Sequence, residues 1–166
     1  MRSSTRLGVC VGSAAPDCND NNPCTDDSCS PATGCVNANN TAPCDDGDVC
    51  TAGDTCAAGL CGGAPVPPPG EAQNLRVEED GSFSWDATPG ATLYDVARGL
   101  IGALPVGPGG GDEACFADLG SATLGDAALP DPNTGFWYLI RAQSACGVGT
   151  YGNASDGSPR TTATCP

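Results

Sequence analysis

The stretch CNDNNPCTDDSC, residues 18–29, places three cysteines within twelve positions and fills the spaces between them with small polar residues and one proline. Such a stretch either holds a metal ion or is cross-linked by disulfides. Zinc sites favour closely spaced cysteine pairs or cysteine–histidine mixtures, because one tight turn must aim two ligands at one ion. No two cysteines of this chain are separated by two residues, and the chain has no histidine. The spacing therefore favours disulfides over a zinc or iron–sulfur site.

Cysteine is concentrated in the first part of the chain, where nine of the 12 cysteines lie between residues 10 and 61. The bulky apolar side chains there are Val11, Val36, Val49 and Leu60. These cannot offset the entropy of ordering about fifty residues at roughly 1.5 kcal/mol each, whereas each disulfide contributes about 2–4 kcal/mol. Disulfides persist in oxidising compartments, so we expect an extracellular or cell-surface protein. The cysteines predicted to form disulfides, with their connectivity left open, are Cys10, Cys18, Cys24, Cys29, Cys35, Cys44, Cys50, Cys56, Cys61, Cys115, Cys146 and Cys165.

An internal repeat organises this region. Residues 18–35 and 44–61 are two copies of one unit, displaced by 26 residues. The unit reads Cys, five residues, Cys-Thr, three or four residues, Cys, a glycine-containing turn, and Cys. With one residue inserted in the second copy, Asp27 aligns with Asp54. A repeated unit of this kind indicates a modular array.

Three regions follow from these patterns. Residues 8–10 (GVC) resemble residues 59–61 (GLC), so residues 1–61 are interpreted as a cysteine-rich region that begins with the tail of an earlier copy. Residues 62–70 (GGAPVPPPG) are predicted to be a linker, because proline-rich segments favour an extended, stiff conformation. Residues 71–166 have few cysteines and form the predicted second domain.

The second domain shows strand patterns, with alternating residues or enrichment in β-formers. Asp80-Gly81 predicts a hairpin turn between the first two strands. About seven short strands in this length predict an antiparallel β-sandwich, so the chain is assigned to the mainly β class. The segments predicted as strands are 72–79, 82–87, 92–99, 122–129, 136–143 and 161–164.

Two resemblances accompany these patterns. The sequence from Cys18 to Cys29, with its CTDDSC ending, is similar to the cysteine-rich CTDC repeat of slime-mould extracellular matrix proteins and to repeats of large secreted bacterial proteins. These relatives imply a structural role in a matrix or at a cell surface.

Residues 72–166 resemble a fibronectin type III domain, with Trp85 in the second strand and Tyr94 in the third. The tail, residues 146–166, resembles a variant common in secreted bacterial proteins. The resemblance implies a seven-strand sandwich. Phe136 occupies the position of the tyrosine that forms the family's characteristic corner, so the hydroxyl bond of that corner is expected to be absent or shifted.

Calcium is the most specific ligand that the sequence suggests, because the repeats are rich in Asp and Asn. Calcium prefers six to eight oxygen ligands from carboxylates, amides and carbonyls. Against it, an EF-type loop needs glycine and glutamate where the first copy has Asn22 and Ser28. The alternative is that these residues form Asx turns, in which a side-chain oxygen accepts a nearby backbone N–H. The candidate ligands are Asp17, Asn19, Asn21, Asp26, Asp27, Asp45, Asp46, Asp48 and Asp54.

Composition excludes several functions. With 6 basic and 20 acidic residues the net charge is −14, and the chain has no lysine, so a nucleic-acid partner or an anionic membrane surface is not expected. No apolar run is long enough for a transmembrane helix. Without histidine or lysine, and without a nucleophile elbow or phosphate loop, we predict no enzymatic activity. No cofactor is required, and calcium is the one candidate.

Trp137 and Tyr138 have two interpretations. They form a sugar-binding surface, or they pack in the core. Neighbours in a strand face opposite sides, so at most one of them is exposed. A surface or matrix polysaccharide is therefore a candidate partner.

The odd number of cysteines in each region suggests that the chains assemble with one another. The first region has nine cysteines and the second has three, so complete pairing requires a bond between regions or between chains. We expect Cys165 to lie at the pole of the sandwich away from the linker, near the next subunit, where it could bond to Cys10. A head-to-tail contact that does not close a ring builds a filament.

Two functions remain open from the sequence. The first is an extracellular structural protein that self-associates into a surface filament or matrix, with an adhesive or mechanical role. The alternative is a monomeric, calcium-dependent binding module excised from a larger secreted protein.

Overall fold

The computed structural model describes residues 17–104, 106 and 111–165 of the chain. These residues contain eleven strands and one short 3₁₀ turn, and the strands pair antiparallel, which confirms the mainly β class. No helix in the described part has the length and hydropathy needed to span a bilayer. The chain divides between Val66 and Pro67 into two compact units. Cys10 and the predicted repeat tail at residues 8–10 lie outside the described residues.

The first unit contains two β-hairpins, one in each sequence copy. The second hairpin turns through Ala58 and Gly59, whose φ angles of 52° and 82° are left-handed. A two-residue turn with both φ angles positive matches the right-handed twist of the strands that it joins. The first hairpin has a longer turn that ends at Gly34, with φ 87°. The strands are β1 (Thr25–Ser30), β2 (Gly34–Asn39), β3 (Thr51–Ala57) and β4 (Leu60–Pro65).

The predicted linker, residues 62–70, begins later than expected. Its first four residues are the last four residues of β4, and Ala64 and Pro65 pair with β3. Glycine at position 63 is required there, because a Cβ would lie 2.0 Å from Asp54 Oδ1. The composition that suggests a linker is therefore explained in part by close packing within a hairpin.

The second unit consists of two antiparallel sheets. One has three strands in the order β5-β6-β9, and the other has four in the order β11-β10-β7-β8. A single 3₁₀ turn, Ile101–Ala103, follows β7. The strands are β5 (Arg76–Val77), β6 (Phe83–Ser84), β7 (Leu93–Leu100), β8 (Ala114–Leu119), β9 (Thr123–Leu124), β10 (Phe136–Ser144) and β11 (Gly147–Val148).

A hydrophobic core lies between these sheets. Trp85 and Leu124 come from the three-stranded side, and Val96 and Ile140 come from the four-stranded side. The Trp85 ring packs edge-on against Tyr94, with 5.3 Å between ring centroids. Trp85 directly follows β6 and Tyr94 lies in β7, and both side chains are buried in this core. This unit is therefore stabilised by burial of apolar area, at about 25 cal/mol per Å².

The outer face of the four-stranded sheet, the face away from this core, is also covered. Ala97 on that face is fully buried beneath Tyr151 and Cys165. The Cys115–Cys165 disulfide fixes the C-terminal segment to β8. The Tyr151 hydroxyl donates to the carbonyl of Cys165 at 3.2 Å. A disulfide and two buried side chains thus add a layer that the sequence interpretation does not contain.

Several predicted strands are corrected by the structure. Residues 161–164 are not a strand: Thr162 is buried, and its hydroxyl donates to Glu113. The Cys115–Cys165 bond holds this segment without ladder pairing. The predicted strands 72–79, 82–87 and 122–129 each shorten to two residues. Between residues 111 and 121 the structure adds β8, which was not predicted.

Candidate functional site

The two copies, residues 18–35 (the first repeat) and 44–61 (the second repeat), are cross-linked in one pattern. Cys18–Cys35 closes the first repeat and Cys44–Cys61 closes the second, each with a sequence separation of 17. A third bond, Cys24–Cys56, joins the two repeats. Numbered within each repeat, the first cysteine bonds to the fourth, and the second cysteine of one repeat bonds to the third of the next.

A compact loop precedes the hairpin of the first repeat. The Asn19 side chain accepts a hydrogen bond from the backbone N–H of Asn21, at 2.8 Å. One carboxylate oxygen of Asp20 accepts from the N–H of Asn22 and from the Thr25 hydroxyl, at 2.9 and 2.8 Å. The hydrogen bond from the Asn22 backbone, followed by that from Thr25, lowers the pKa of Asp20. Consecutive Asx turns therefore define this loop.

The second repeat has the same hydrogen bonds 26 residues later. Asp45 accepts from Gly47 N–H at 2.9 Å, and one oxygen of Asp46 accepts from Asp48 N–H and the Thr51 hydroxyl, each at 2.9 Å. Gly47 has a φ of 77°, and its counterpart in the first repeat is also left-handed. Two different sequences thus form the same loop, because Asp and Asn both supply the accepting oxygen.

A β-bulge in β3 accommodates the residue that is inserted in the second repeat. Asp27 Oδ2 accepts from the N–H of Asp20 at 3.1 Å, and Asp54 Oδ2 accepts from the N–H of Asp46 at 3.2 Å. The register of β3 shifts between Ala52 and Thr55, around a glycine with φ 69°. This bulge keeps the two aspartates equivalent in spite of the insertion.

The predicted calcium ligands fall mainly in these turns. Asp17 accepts from Asn19 N–H, Asp26 accepts from the Asn40 side chain, and Asp48 accepts from Cys50 N–H. These bonds support the alternative of turn formation. The calcium hypothesis stays a prediction, and three of its nine candidate ligands lie close together in the structure.

That cluster lies in the second repeat. Asp45, Asp46 and Asp54 each place one carboxylate oxygen within 4.8 Å of the others. The equivalent residues of the first repeat include Asn19, so the first repeat has one carboxylate fewer. Within the described residues, the buried Oδ1 of Asp54 accepts no hydrogen bond. A cation would find the higher negative charge in the second repeat.

A sulfur cluster lies between the repeats. The Sγ atoms of Cys24, Cys44 and Cys61 lie within 4.8 Å of one another. All three belong to disulfides, so their sulfurs are not thiolates and do not offer the anionic ligands that zinc requires. Cys24 and Cys56 are 0% and 3% exposed, which makes this pair of adjacent disulfides the buried centre of the first unit.

Hydrogen bonds connect the repeats around this centre. The Asn22 amide Nδ2 donates to the carbonyl of Gly59 at 2.9 Å. The N–H of Asn40 donates to Cys24, and the N–H of Cys56 donates to Ala42, each at 3.0 Å. The segment between the repeats is therefore fixed to both of them.

Trp137 and Tyr138 of the second unit face opposite sides of β10, as strand geometry requires. Trp137 packs with the outer-face cluster, and Tyr138 packs against the core. The Tyr138 hydroxyl donates to the side-chain carboxylate of Asp126 at 3.0 Å. Burial, and next the bond to Asp126, raise the pKa of Tyr138 to about 12. Both rings are partly buried, and binding of polysaccharide stays a prediction.

Cys165 has a different partner from the one suggested by parity. It bonds to Cys115 of the same chain, so it is not available for a bond to Cys10 of a neighbouring subunit. Cys29, Cys50 and Cys146 are also disulfide-bonded.

Comparison with protein families matches residues 17–39 to a family described as a Dictyostelium (slime mold) repeat. The match covers the first repeat and the end of its hairpin, and it agrees with the resemblance to the CTDC repeat. No curated protein and no solved structure matches the chain. The resemblance to fibronectin type III domains and to secreted bacterial proteins therefore stays a prediction.

Proposed function

We propose that this protein is an extracellular structural protein that self-associates head to tail into a surface filament or matrix. The observation that carries the proposal is the linkage of Cys24 to Cys56, which joins two already closed repeats around a disulfide centre. Such linkage resists unfolding without a large apolar core, because each bond restricts the unfolded chain. The family match at residues 17–39 agrees with a repeat that serves in tandem arrays.

Localisation follows from the same bonds. Disulfides of this density are rare where glutathione keeps thiols reduced. We place the protein outside the cell or at its surface.

The second unit is proposed to be a fibronectin type III-like sandwich. Its support is the strand order, with β6 between β5 and β9 in one sheet and β10 between β7 and β11 in the other. Trp85 lies 4% exposed in the core between the sheets. In this proposal the unit is the adhesive part of the subunit.

Self-association has support in exposed apolar side chains. Leu75, Val77 and Leu129 line one groove of the second unit, and Leu129 is 90% exposed. Burial of such side chains between copies would be favourable by about 25 cal/mol per Å². Because Cys165 is bonded to Cys115 of the same chain, the contact between copies near Cys165 is noncovalent in this proposal.

Size-exclusion chromatography with light scattering, joined to electron microscopy of the native protein, tests the proposal. Wild-type protein should form extended polymers, and Leu129→Ser should shift the material toward monomers. Val148→Ser is the matched control, since Val148 is 49% exposed but does not line the groove. Elution of the wild type as a monomer at all accessible concentrations would contradict filament formation.

The alternative function, a monomeric calcium-dependent binding module, is favoured by the cluster of Asp45, Asp46 and Asp54. Isothermal titration of the monomer with calcium chloride tests it. Calcium binding that is lost in Asp54→Asn would support the alternative. Absence of heat at millimolar calcium would remove it.

A further inference from the structure

The bond between the repeats is made by cysteines that both repeats contain. The second cysteine of the first repeat, Cys24, bonds to the third cysteine of the second repeat, Cys56. The bond therefore joins cysteines of two different repeats, and not the second and third cysteines of one repeat. The connection is therefore directional, with one kind of surface on the earlier repeat and another on the later one.

The earlier repeat supplies the surface around Cys24, which we name the leading surface: Asn22, Pro23 and Cys24. Its Asn22 amide donates to the hairpin turn of the later repeat, at Gly59 O, and Cys56 Sγ lies 3.8 Å from Pro23 O. A Cβ on Gly59 would lie 2.8 Å from Asn39 Oδ1, so the turn fits closely against β2.

The later repeat supplies the trailing surface, defined as Cys56 with the turn residue Gly59. Cys56 lies opposite Cys61 in its hairpin, and Cys29 lies opposite Cys35 in the other. The second cysteine of each repeat follows the same series of Asx turns. Because the local structure is shared, the unit can carry both surfaces at once.

One difference between the repeats concerns the amide that crosses the interface. Position 22 is Asn, whose side chain both accepts from Cys24 N–H and donates to Gly59 O. The equivalent Asp48 accepts from Cys50 N–H in the same way. An ionised carboxylate has no hydrogen to donate, so only Asn completes both bonds.

We propose that this linkage is the general joint between tandem copies of the repeat, so that the leading surface, which the second repeat occupies here, takes the trailing surface of whichever copy follows it directly in the chain. The second cysteine of one copy bonds to the third cysteine of the next, and Asn at the position of Asn22 orients the two copies. The inference concerns how repeats join, and it holds whether or not the whole protein forms filaments.

The bond forms by oxidation of two thiols. An oxidised thiol–disulfide couple such as glutathione disulfide accepts two electrons and two protons from the cysteines and is released as two thiols. Prior docking through the Asn22 amide brings the correct pair of sulfurs together.

The first test inserts a third repeat into the full chain. A copy of residues 18–43 is placed between residues 43 and 44, with Thr25→Ser and Val36→Leu in the inserted copy as mass labels. Cleavage before aspartate under non-reducing conditions separates the second cysteine from the third within each copy. Linked peptides are then identified by mass spectrometry, with the wild-type chain as control.

The proposal predicts two bonds between successive copies. Cys24 of the original copy should be linked to the third cysteine of the inserted copy, and the labelled second cysteine should be linked to Cys56. A bond between the labelled second and third cysteines of the inserted copy would overturn the proposal. Linkage between separate chains, seen as covalent dimers, would also overturn it.

The second test measures the orienting amide without changing any cysteine. Asn22→Asp should lower the equilibrium constant for forming the Cys24–Cys56 bond in a glutathione buffer about fivefold, the effect of one typical hydrogen bond. Asn19→Asp is the matched control, because Asn19 acts only as an acceptor toward Asn21 N–H and Asp can replace it. Equal constants for the two variants would show that the Asn22 amide does not orient the repeats.

Discussion

Removal of the Cys24–Cys56 bond is predicted to destabilise the first unit severely, because among the disulfides described above it is the one that joins the two repeats. The bond spans 32 residues, and the path through the Cys18–Cys35 and Cys44–Cys61 bonds is shorter, about 20 residues. Loop-closure entropy for these lengths gives a loss of about 3.3 to 3.7 kcal/mol in the Cys24→Ala/Cys56→Ala variant. Both sulfurs are buried, so lost packing adds to this value.

Native-state hydrogen exchange measures that loss in each unit separately. A loss of about 3.5 kcal/mol corresponds to a decrease of about 370-fold in the protection of amides in β1 to β4. The control is Cys115→Ala/Cys165→Ala, which removes a bond from the other unit and should leave that protection unchanged. Protection of the first unit within threefold of wild type in Cys24→Ala/Cys56→Ala would refute the reasoning.

Three further predictions follow from individual side chains. Burial is the main cause that raises the pKa values of Tyr138 and Tyr151 to about 12, so absorbance at 295 nm should show two tyrosines titrating there. The unfolded chain releases the phenolic protons near pH 10, so the free energy of unfolding should fall as the pH rises from about 10 to about 12. Titration of all the tyrosines near pH 10 would contradict this prediction. Gly99→Ala should lower the free energy of unfolding of the second unit by about 1–3 kcal/mol in chemical denaturation, because the new Cβ would lie 2.3 Å from the indole ring of Trp137. Gly62→Ala is the control, because its Cβ would meet no atom within 4 Å. Asp54→Asn should leave the second repeat folded in far-UV circular dichroism, because a side-chain oxygen still accepts from the backbone; loss of the fold would contradict the role given to that residue.

Local patterns in the sequence predict much of the first unit. The count of cysteines and the scarcity of apolar residues predict disulfide stabilisation, and the 26-residue displacement identifies the two copies. The Asx turns are also predictable, because they need only an accepting side chain two residues before an N–H. In the second unit, Trp85 is recognisable as core from its place in a strand pattern.

Long-range pairing is not readable from one sequence. Cys24 has several possible partners at similar separations, and the sequence does not show that the turn at Gly59 packs against Asn22 and places Cys56 beside Cys24. The covering of the outer face by Tyr151 has the same origin, because residues of the tail contact a sheet formed far away in sequence. The glycines and prolines of residues 62–70 predict a linker, although residues 62–65 belong to β4 and Gly63 is needed for packing against Asp54.

The central claim is that sulfur–sulfur bonds, and not apolar burial, hold the first unit in its fold, whereas a core around Trp85 holds the second. Nuclear magnetic resonance of the full chain during reduction with a phosphine tests this most directly. The amide signals of β1 to β4 should collapse to unfolded positions as the disulfides are reduced, while the Trp85 indole and the strands beside it keep their native dispersion. Native dispersion of β1 to β4 in fully reduced protein would contradict the account.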